Sequence, residues 1–165
     1  MGTADLNQID GRLYRETLAQ VPRAVTVVTA LGSNGEFRGI TVDTLTTVSF
    51  DPPLVMVCVD SLTIACEVLR DSECFGASVL STTGEFLAER FAGRAPLMDG
   101  QFREASHFVA ASGCPLLDAS VCWFDCRIET RLPLGDHHIF SGRVLACGTR
   151  SGVPLLYHRR GYRTL

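Results

Sequence analysis

Residues 39–60 read G-I-T-V-D-T-L-T-T-V-S-F-D-P-P-L-V-M-V-C-V-D: small hydroxyl residues, then a Pro-Pro break, then an apolar run. Proline lacks an N–H and fixes φ, so no regular element passes through the break. The run that follows, residues 54–59, is valine-rich and too short for a helix, so it reads as a fully apolar strand. The stretch before the break offers backbone N–H groups and Ser/Thr hydroxyls in a narrow space. That equipment suits the holding of a polar planar ligand against a sheet better than the building of a plain core.

The rest of the chain repeats the strand pattern. Residues 25–29 are β-branched, Gly32 to Gly35 signal a turn, and residues 37–42 return as a second strand. Residues 75–80, 121–130, 138–148 and a closing piece in 154–163 read as further strands. In 121–130, Cys122, Phe124, Cys126 and Ile128 alternate with Asp125, Arg127 and Glu129, which predicts one buried and one solvated face. Three helices are expected. One covers 6–20, with Leu6, Ile9, Leu13, Leu18 and Val21 on one stripe and Pro22 as its stop. One runs from a Ser61 or Thr63 cap to about Arg70, with Ile64, Ala65, Val68 and Leu69 inward. One starts near Thr82, capped by a Thr82–Glu85 box, and runs to Phe91. Residues 93–113 read as a long loop. Many strands with few helices predict a mainly β chain built as a barrel, in a single domain over 1–165.

Composition narrows the function. With 165 residues, 46 % hydrophobic and 20 % charged, a real core is affordable to the chain and disorder is excluded. A net charge of −3 gives no general attraction to nucleic acid or to anionic membranes. No apolar run reaches the roughly 20 residues of a membrane helix, and the N-terminus has no signal-peptide pattern, so a cytoplasmic protein is expected. Seven scattered cysteines, without a C-x-x-C pair, read as reduced thiols acting as small hydrophobes. No metal site is expected.

Several pieces, in order, resemble the short-chain flavin reductase family. They are Tyr14 to Leu18, Val25 to Thr29, Gly39 to Leu54, Cys58-Val59-Asp60, Glu67 to Arg70, Phe75 to Leu80, Glu89-Arg90-Phe91-Ala92-Gly93, Cys114 to Leu117, Gly135-Asp136-His137 and Pro154 to Tyr157. The resemblance implies a Greek-key, FMN-binding split β-barrel with a few flanking helices. It also implies NADH- or NADPH-dependent reduction of FMN or FAD, a homodimer, and a partner flavin-dependent monooxygenase. By the same resemblance, Thr41, Val42, Asp43, Thr44 and Ser49 belong to the segment along the isoalloxazine. Cys58, Val59 and Asp60 lie near the ribityl chain; Ser61, Thr63 and Ala65 belong to the phosphate loop; Arg90 and Phe91 form another flavin contact. His137 is the catalytic candidate on the nicotinamide side, and Tyr157, His158 and Arg159 lie near the nicotinamide nucleotide.

Such chemistry asks little acid–base work of the protein, because the cofactors carry the reaction and the protein sets distance and electronics. Two departures stand out. Members usually carry an uncharged amide where Asp43 stands, and a carboxylate there would repel an electron-rich reduced flavin. They also usually carry Arg or Lys at Ile64 and a hydroxyl residue at Ala65. Loss of a charge-assisted phosphate contact costs about 1.5–3 kcal/mol. These departures leave open a split barrel that has lost flavin and serves as a cofactor-free catalyst or binding protein for an apolar small molecule. A flavin-storing module without turnover also stays open.

Overall fold

The computed structural model describes residues 9–95 and 100–165. In chain order the elements are α1 (Gly11–Leu18), β1 (Arg23–Ala24), β2 (Thr26–Leu31), β3 (Phe37–Val42), β4 (Thr46–Phe50), β5 (Pro53–Asp60), α2 (Ile64–Asp71), β6 (Cys74–Leu80), a 3₁₀ turn (Thr82–Gly84), α3 (Glu85–Phe91), β7 (His107–Val109), β8 (Pro115–Leu117), β9 (Ser120–Leu134), β10 (His137–Thr149), β11 (Leu156–His158) and β12 (Gly161–Arg163).

Seven antiparallel strands form one sheet in the order β3-β2-β6-β9-β10-β5-β4. Chain-distant strands lie side by side, as in a Greek key. The sheet curls around a core that includes Val28, Ala30, Val57, Val59, Phe75, Cys126 and Phe140. Edge strands β3 and β4 do not pair with each other, so the barrel is split. Helix α2 packs on β2, β3 and β5, and its Cys66 and Leu69 enter the same core. The free edge of β3 is covered in strand-like fashion by Gln101. Its amide donates to the Gly39 carbonyl and accepts from the Gly39 N–H, both at 3.1 Å.

Strand β2 is buried on both faces. Val28 and Ala30 face the barrel, while Val25 and Val27 meet a second core with Leu80, Ala88, Phe91, Leu117 and Leu155. Gly39 lies in β3 because a Cβ there would come within 2.8 Å of the Phe91 ring. The three-stranded sheet β1-β11-β12 closes this outer layer.

Several expectations need correction. The first helix is described from Gly11, and the expected start at Leu6 lies outside the described residues; none of the residues of α1 is buried, and Leu13 is 55 % exposed. Ile64 is 66 % exposed, and Cys66 takes its expected place inside. Thr82 makes no capping box, since a 3₁₀ turn moves the helix start to Glu85 and Gly84 stands at its cap. The loop expected over 93–113 contains β7, paired with β8, and buries Ala105; residues 96–99 lie outside the described set. Asp125 is fully buried rather than solvated, because the Ser112 N–H and hydroxyl both donate to it.

Gly142 tests the packing of the barrel. A Cβ there would meet the Phe75 ring at 2.5 Å and Cys126 Cβ at 2.7 Å. Gly142→Ala is expected to lower stability by about 1–3 kcal/mol in urea unfolding. An unchanged midpoint would show that this wall yields freely.

Candidate active site

The site begins where β3 ends. After Val42 the chain leaves the sheet, and among the described residues the N–H groups of Asp43, Thr44 and Leu45 have no hydrogen-bond partner. The Thr44 hydroxyl pins this segment to β5. It donates to the Cys58 carbonyl and accepts from the Cys58 N–H, both at 2.9 Å. The Thr41 hydroxyl donates to the Ala88 carbonyl at 2.7 Å, which ties the strand to α3. The result is a short rank of free donors held from both sides.

Asp43 is not a bare carboxylate. Arg23 Nη1 lies 2.6 Å from Asp43 Oδ2, and the other Arg23 Nη donates to the Leu18 carbonyl at 3.2 Å. The pair is about 30 % exposed and close to neutral as a unit, which answers the charge problem that Asp43 poses. Sequence reading missed Arg23; the signal was the unusual acid itself, which demands a nearby cation.

A cleft of about 180 Å³ opens over this segment, lined by Thr41, Val42, Asp43, Arg94, Tyr157 and Tyr162 among others. Arg94 and Tyr162 belong to a closed network. The Tyr162 hydroxyl donates to Glu89 at 2.6 Å; Arg94 Nε donates to both Glu89 oxygens at 3.0–3.1 Å, and Arg94 also donates to the Tyr162 oxygen at 3.2 Å. The hydrogen bonds from Tyr162 and Arg94 hold the Glu89 carboxyl below its usual range. Burial first, and then Glu89, push the Tyr162 phenol up to about 12.

A second group follows the end of β5, two residues beyond Cys58. Thr63 caps α2: its hydroxyl accepts from the Cys66 N–H at 3.2 Å and donates to the Asp60 carbonyl at 2.8 Å. The N–H groups of Ile64 and Ala65 have no partner among the described residues, so the helix end retains anion-binding capacity. Asp60 Oδ1 accepts from the Leu62 N–H. Ser61 holds the β9–β10 hairpin tip, its N–H donating to the Asp136 carbonyl at 3.0 Å and its hydroxyl lying 3.0 Å from His138 Nδ1. His137 pairs in register with Asp60, and its Nδ1 lies 2.6 Å from Asp136 Oδ1. That contact makes Nδ1 the donor and leaves Nε2 for a ligand. His138 stacks on Phe140 and so lies on the opposite face of β10.

Not all candidates gather here. Val59 points into the barrel core, leaving only its backbone. Ser49 sits at a bulge in β4 and lines neither cleft that borders Asp43. Phe91 is a core residue under Gly39. Arg90 is 5 % exposed; its guanidinium stacks on Phe86 and donates to the Arg103 carbonyl. Tyr157, His158 and Arg159 border a larger cleft that shares Asp43 with the first. His137 lines neither cleft.

A family model described as a flavin reductase like domain matches residues 18–165. The chain belongs to the flavin reductase-like family. It is 37 % identical over 158 residues to the flavin reductase (NADH) of Kitasatospora aureofaciens, which spans 93 % of this chain and 81 % of that protein. It is 33 % identical over 157 residues to the NADH-dependent flavin reductase StyB of Pseudomonas fluorescens, covering 93 % of this chain and 89 % of that one. It also superposes, with a TM-score of 0.85 and 33 % identity, on BorF, the flavin reductase component of a bacterial two-component tryptophan halogenase, over 94 % of this chain and 98 % of that one. In this family member the amide expected at position 43 is replaced by the Arg23–Asp43 pair.

The network around Tyr162 makes a pH prediction. The phenol's ordinary value of 10.0 rises to about 12 in the folded protein. The neutral phenol therefore favours folding, in full below pH 10.0, and that contribution is lost as pH rises through about 12. A tyrosinate absorbance titration should show a late phase that Tyr162→Phe removes and Glu89→Gln moves to lower pH. An unmoved phase in Glu89→Gln would remove the carboxylate from its cause.

Proposed function

We propose that this chain is an NAD(P)H:flavin oxidoreductase that reduces FMN or FAD with NADH or NADPH and supplies reduced flavin to a partner monooxygenase. The observation that carries this reading is family membership across residues 18–165, joined to relatives named as NADH-dependent flavin reductases. The flavin, when bound, supplies the hydride acceptor.

The chain's residues bind and orient. Thr41 and Val42 lead the chain to the polar edge of the isoalloxazine, and Asp43, Thr44 and Leu45 present free N–H donors there, where negative charge grows on reduction. Arg23 keeps the Asp43 carboxylate from opposing that charge. Cys58, Val59 and Asp60 border the ribityl chain with backbone groups, and Ser61 fixes the turn that follows. Ile64 and Ala65 N–H groups, at the end capped by Thr63, meet the flavin phosphate. With no cation at position 64 the hold is weak, which suits a product that must leave. Arg90 and Phe91 support the site from behind, and Ser49 stays outside both clefts. His137 Nε2 bonds the nicotinamide carboxamide; Tyr157, His158 and Arg159 take the rest of that nucleotide.

The cofactor-free alternative rested on Asp43, Ile64 and Ala65. Arg23 compensates the first, and free helix N–H groups serve the phosphate without the other two. The direct test is nicotinamide absorbance with and without flavin. Flavin-dependent loss of NADH is expected; NADH untouched with both FMN and FAD would overturn the reading. His137→Ala should slow single-turnover hydride transfer or raise KM for NADH about tenfold, with flavin affinity unchanged.

The chain is proposed to work in the cytoplasm as one domain and as a homodimer. Its seven free thiols suit a reducing compartment. Among the described residues no helix is long and apolar enough to cross a membrane. On the outer face of the barrel, Leu54, Met56 and Cys58 of β5 lie beside Ile139 of β10 and Leu132 of β9, only partly covered. Light scattering should give twice the 17.9 kDa chain mass, and Ile139→Glu should halve it. A monomeric wild type would contradict the pairing.

A further inference from the structure

Away from the site, two thiols meet near the C-terminal end of α2. Strand β6 turns Phe75 and Ala77 into the barrel core, so Cys74, Gly76 and Ser78 face outward. Strand β8 lies across that outer face. The Leu117 N–H donates to the Ser78 hydroxyl at 2.9 Å, and a Cβ at Gly76 would stand 2.9 Å from the Pro115 carbonyl oxygen. The bare glycine lets the two backbones approach closely, and the chain just before Pro115 arrives beside Cys74.

That chain carries Cys114, whose sulfur lies against the Leu31 N–H. Continuing the β2–β6 register beyond Thr29 and Gly76 sets Leu31 level with Cys74. Both thiols line one cleft of about 270 Å³. Cys114 is buried and Cys74 half-buried, so solvent enters at Cys74. Arg127 stands opposite Cys74 in the β6–β9 ladder, and its guanidinium reaches the Cys74 sulfur. A cation there supports the thiolate, the reactive form of the group. Asp71 and Glu73 also line the cleft. Their carboxylates repel anionic oxidants and leave a small neutral one as the fitting reagent.

We propose that Cys74 and Cys114 form a dithiol site that hydrogen peroxide oxidises to a disulfide tying β8 to β6. The Cys74 thiolate attacks one peroxide oxygen. The O–O bond breaks, hydroxide leaves as water after taking a proton, and Cys74 becomes a sulfenic acid. The Cys114 thiolate then attacks the Cys74 sulfur. The S–S bond forms, the S–O bond breaks, and the second hydroxide leaves as water. The two thiols lose two electrons and two protons, and peroxide gains both. Burial pushes both thiols up, so the first step is slow and answers sustained peroxide rather than a brief pulse. Dioxygen yields peroxide when it takes two electrons and two protons from reduced flavin released without a taker. That source, though not the site, rests on the reductase reading.

The test treats the full chain, reduced and then freed of reductant, with added hydrogen peroxide. Intact mass and a non-reducing peptide map are read. A mass lower by two hydrogens and a linked Cys74–Cys114 peptide are expected, and dithiothreitol should restore the free thiols. Cys74→Ser and Cys114→Ser should each abolish the link. In Cys114→Ser the sulfenic acid should stay on Cys74, where dimedone traps it. Cys74 is only half-buried, so Cys74→Ser keeps the test decisive if the change at buried Cys114 fails to fold. Seven free thiols after treatment, or a link between other cysteines such as Cys122 and Cys147, overturns the proposal. So does a Cys74 carried past the sulfenic acid to the sulfinic acid in wild type. A Cys74–Cys114 link formed by added peroxide, in a chain that leaves NADH untouched with flavin, would remove the reductase reading and keep the site.

Discussion

Everything at the site depends on a sheet that curls but does not close. Strands β3 and β4 follow each other in the chain yet lie at opposite edges of the seven-stranded sheet. The three residues between them cannot join either ladder. Their N–H groups are left free, and the Thr44 hydroxyl holds them in place by bridging both polar groups of Cys58. A closed barrel would have used those donors internally. Helix α2 fills the core at the split, and its own N-terminus brings two more free N–H groups. The fold therefore gathers two sets of oriented backbone dipoles beside the C-terminal end of β5, with few charged side chains.

The charges that are present work in pairs. Asp43 is matched by Arg23, and Glu89 by Arg94 and Tyr162. Each pair leaves the smaller cleft near neutral, so a ligand gaining negative charge there would meet N–H groups and no bare carboxylate. The uncompensated cations lie apart, in the larger cleft. The barrel thus keeps its paired charges at the smaller cleft and its unpartnered arginines at the larger one.

The strands were legible because valine, isoleucine and threonine runs met clear turn signals. Residues 37–42 match β3 end for end, and the Pro-Pro break is the β4–β5 turn. Local signals failed where distant contacts decide. Strand β7 and its neighbourhood are built by Phe102 packing on Phe37 and Phe91, which no window of sequence reveals. Asp125 reads as solvated until Ser112 arrives from another loop. Ile64 fits an apolar stripe, but α2 enters the barrel through Cys66 and Leu69. At the site, the resemblance named segments that the structure brings together only in part. It could not tell that Phe91 is core, that Arg90 is pinned by a carbonyl, or that Arg23 answers Asp43.

The central claim is that free backbone donors at the split hold the flavin. Backbone amide NMR during titration with FMN examines it directly. The account predicts that the amides of Asp43, Thr44 and Leu45 shift first and furthest and gain exchange protection, with those of Ile64 and Ala65 following. Saturable FMN binding that leaves these five amides unmoved would contradict it.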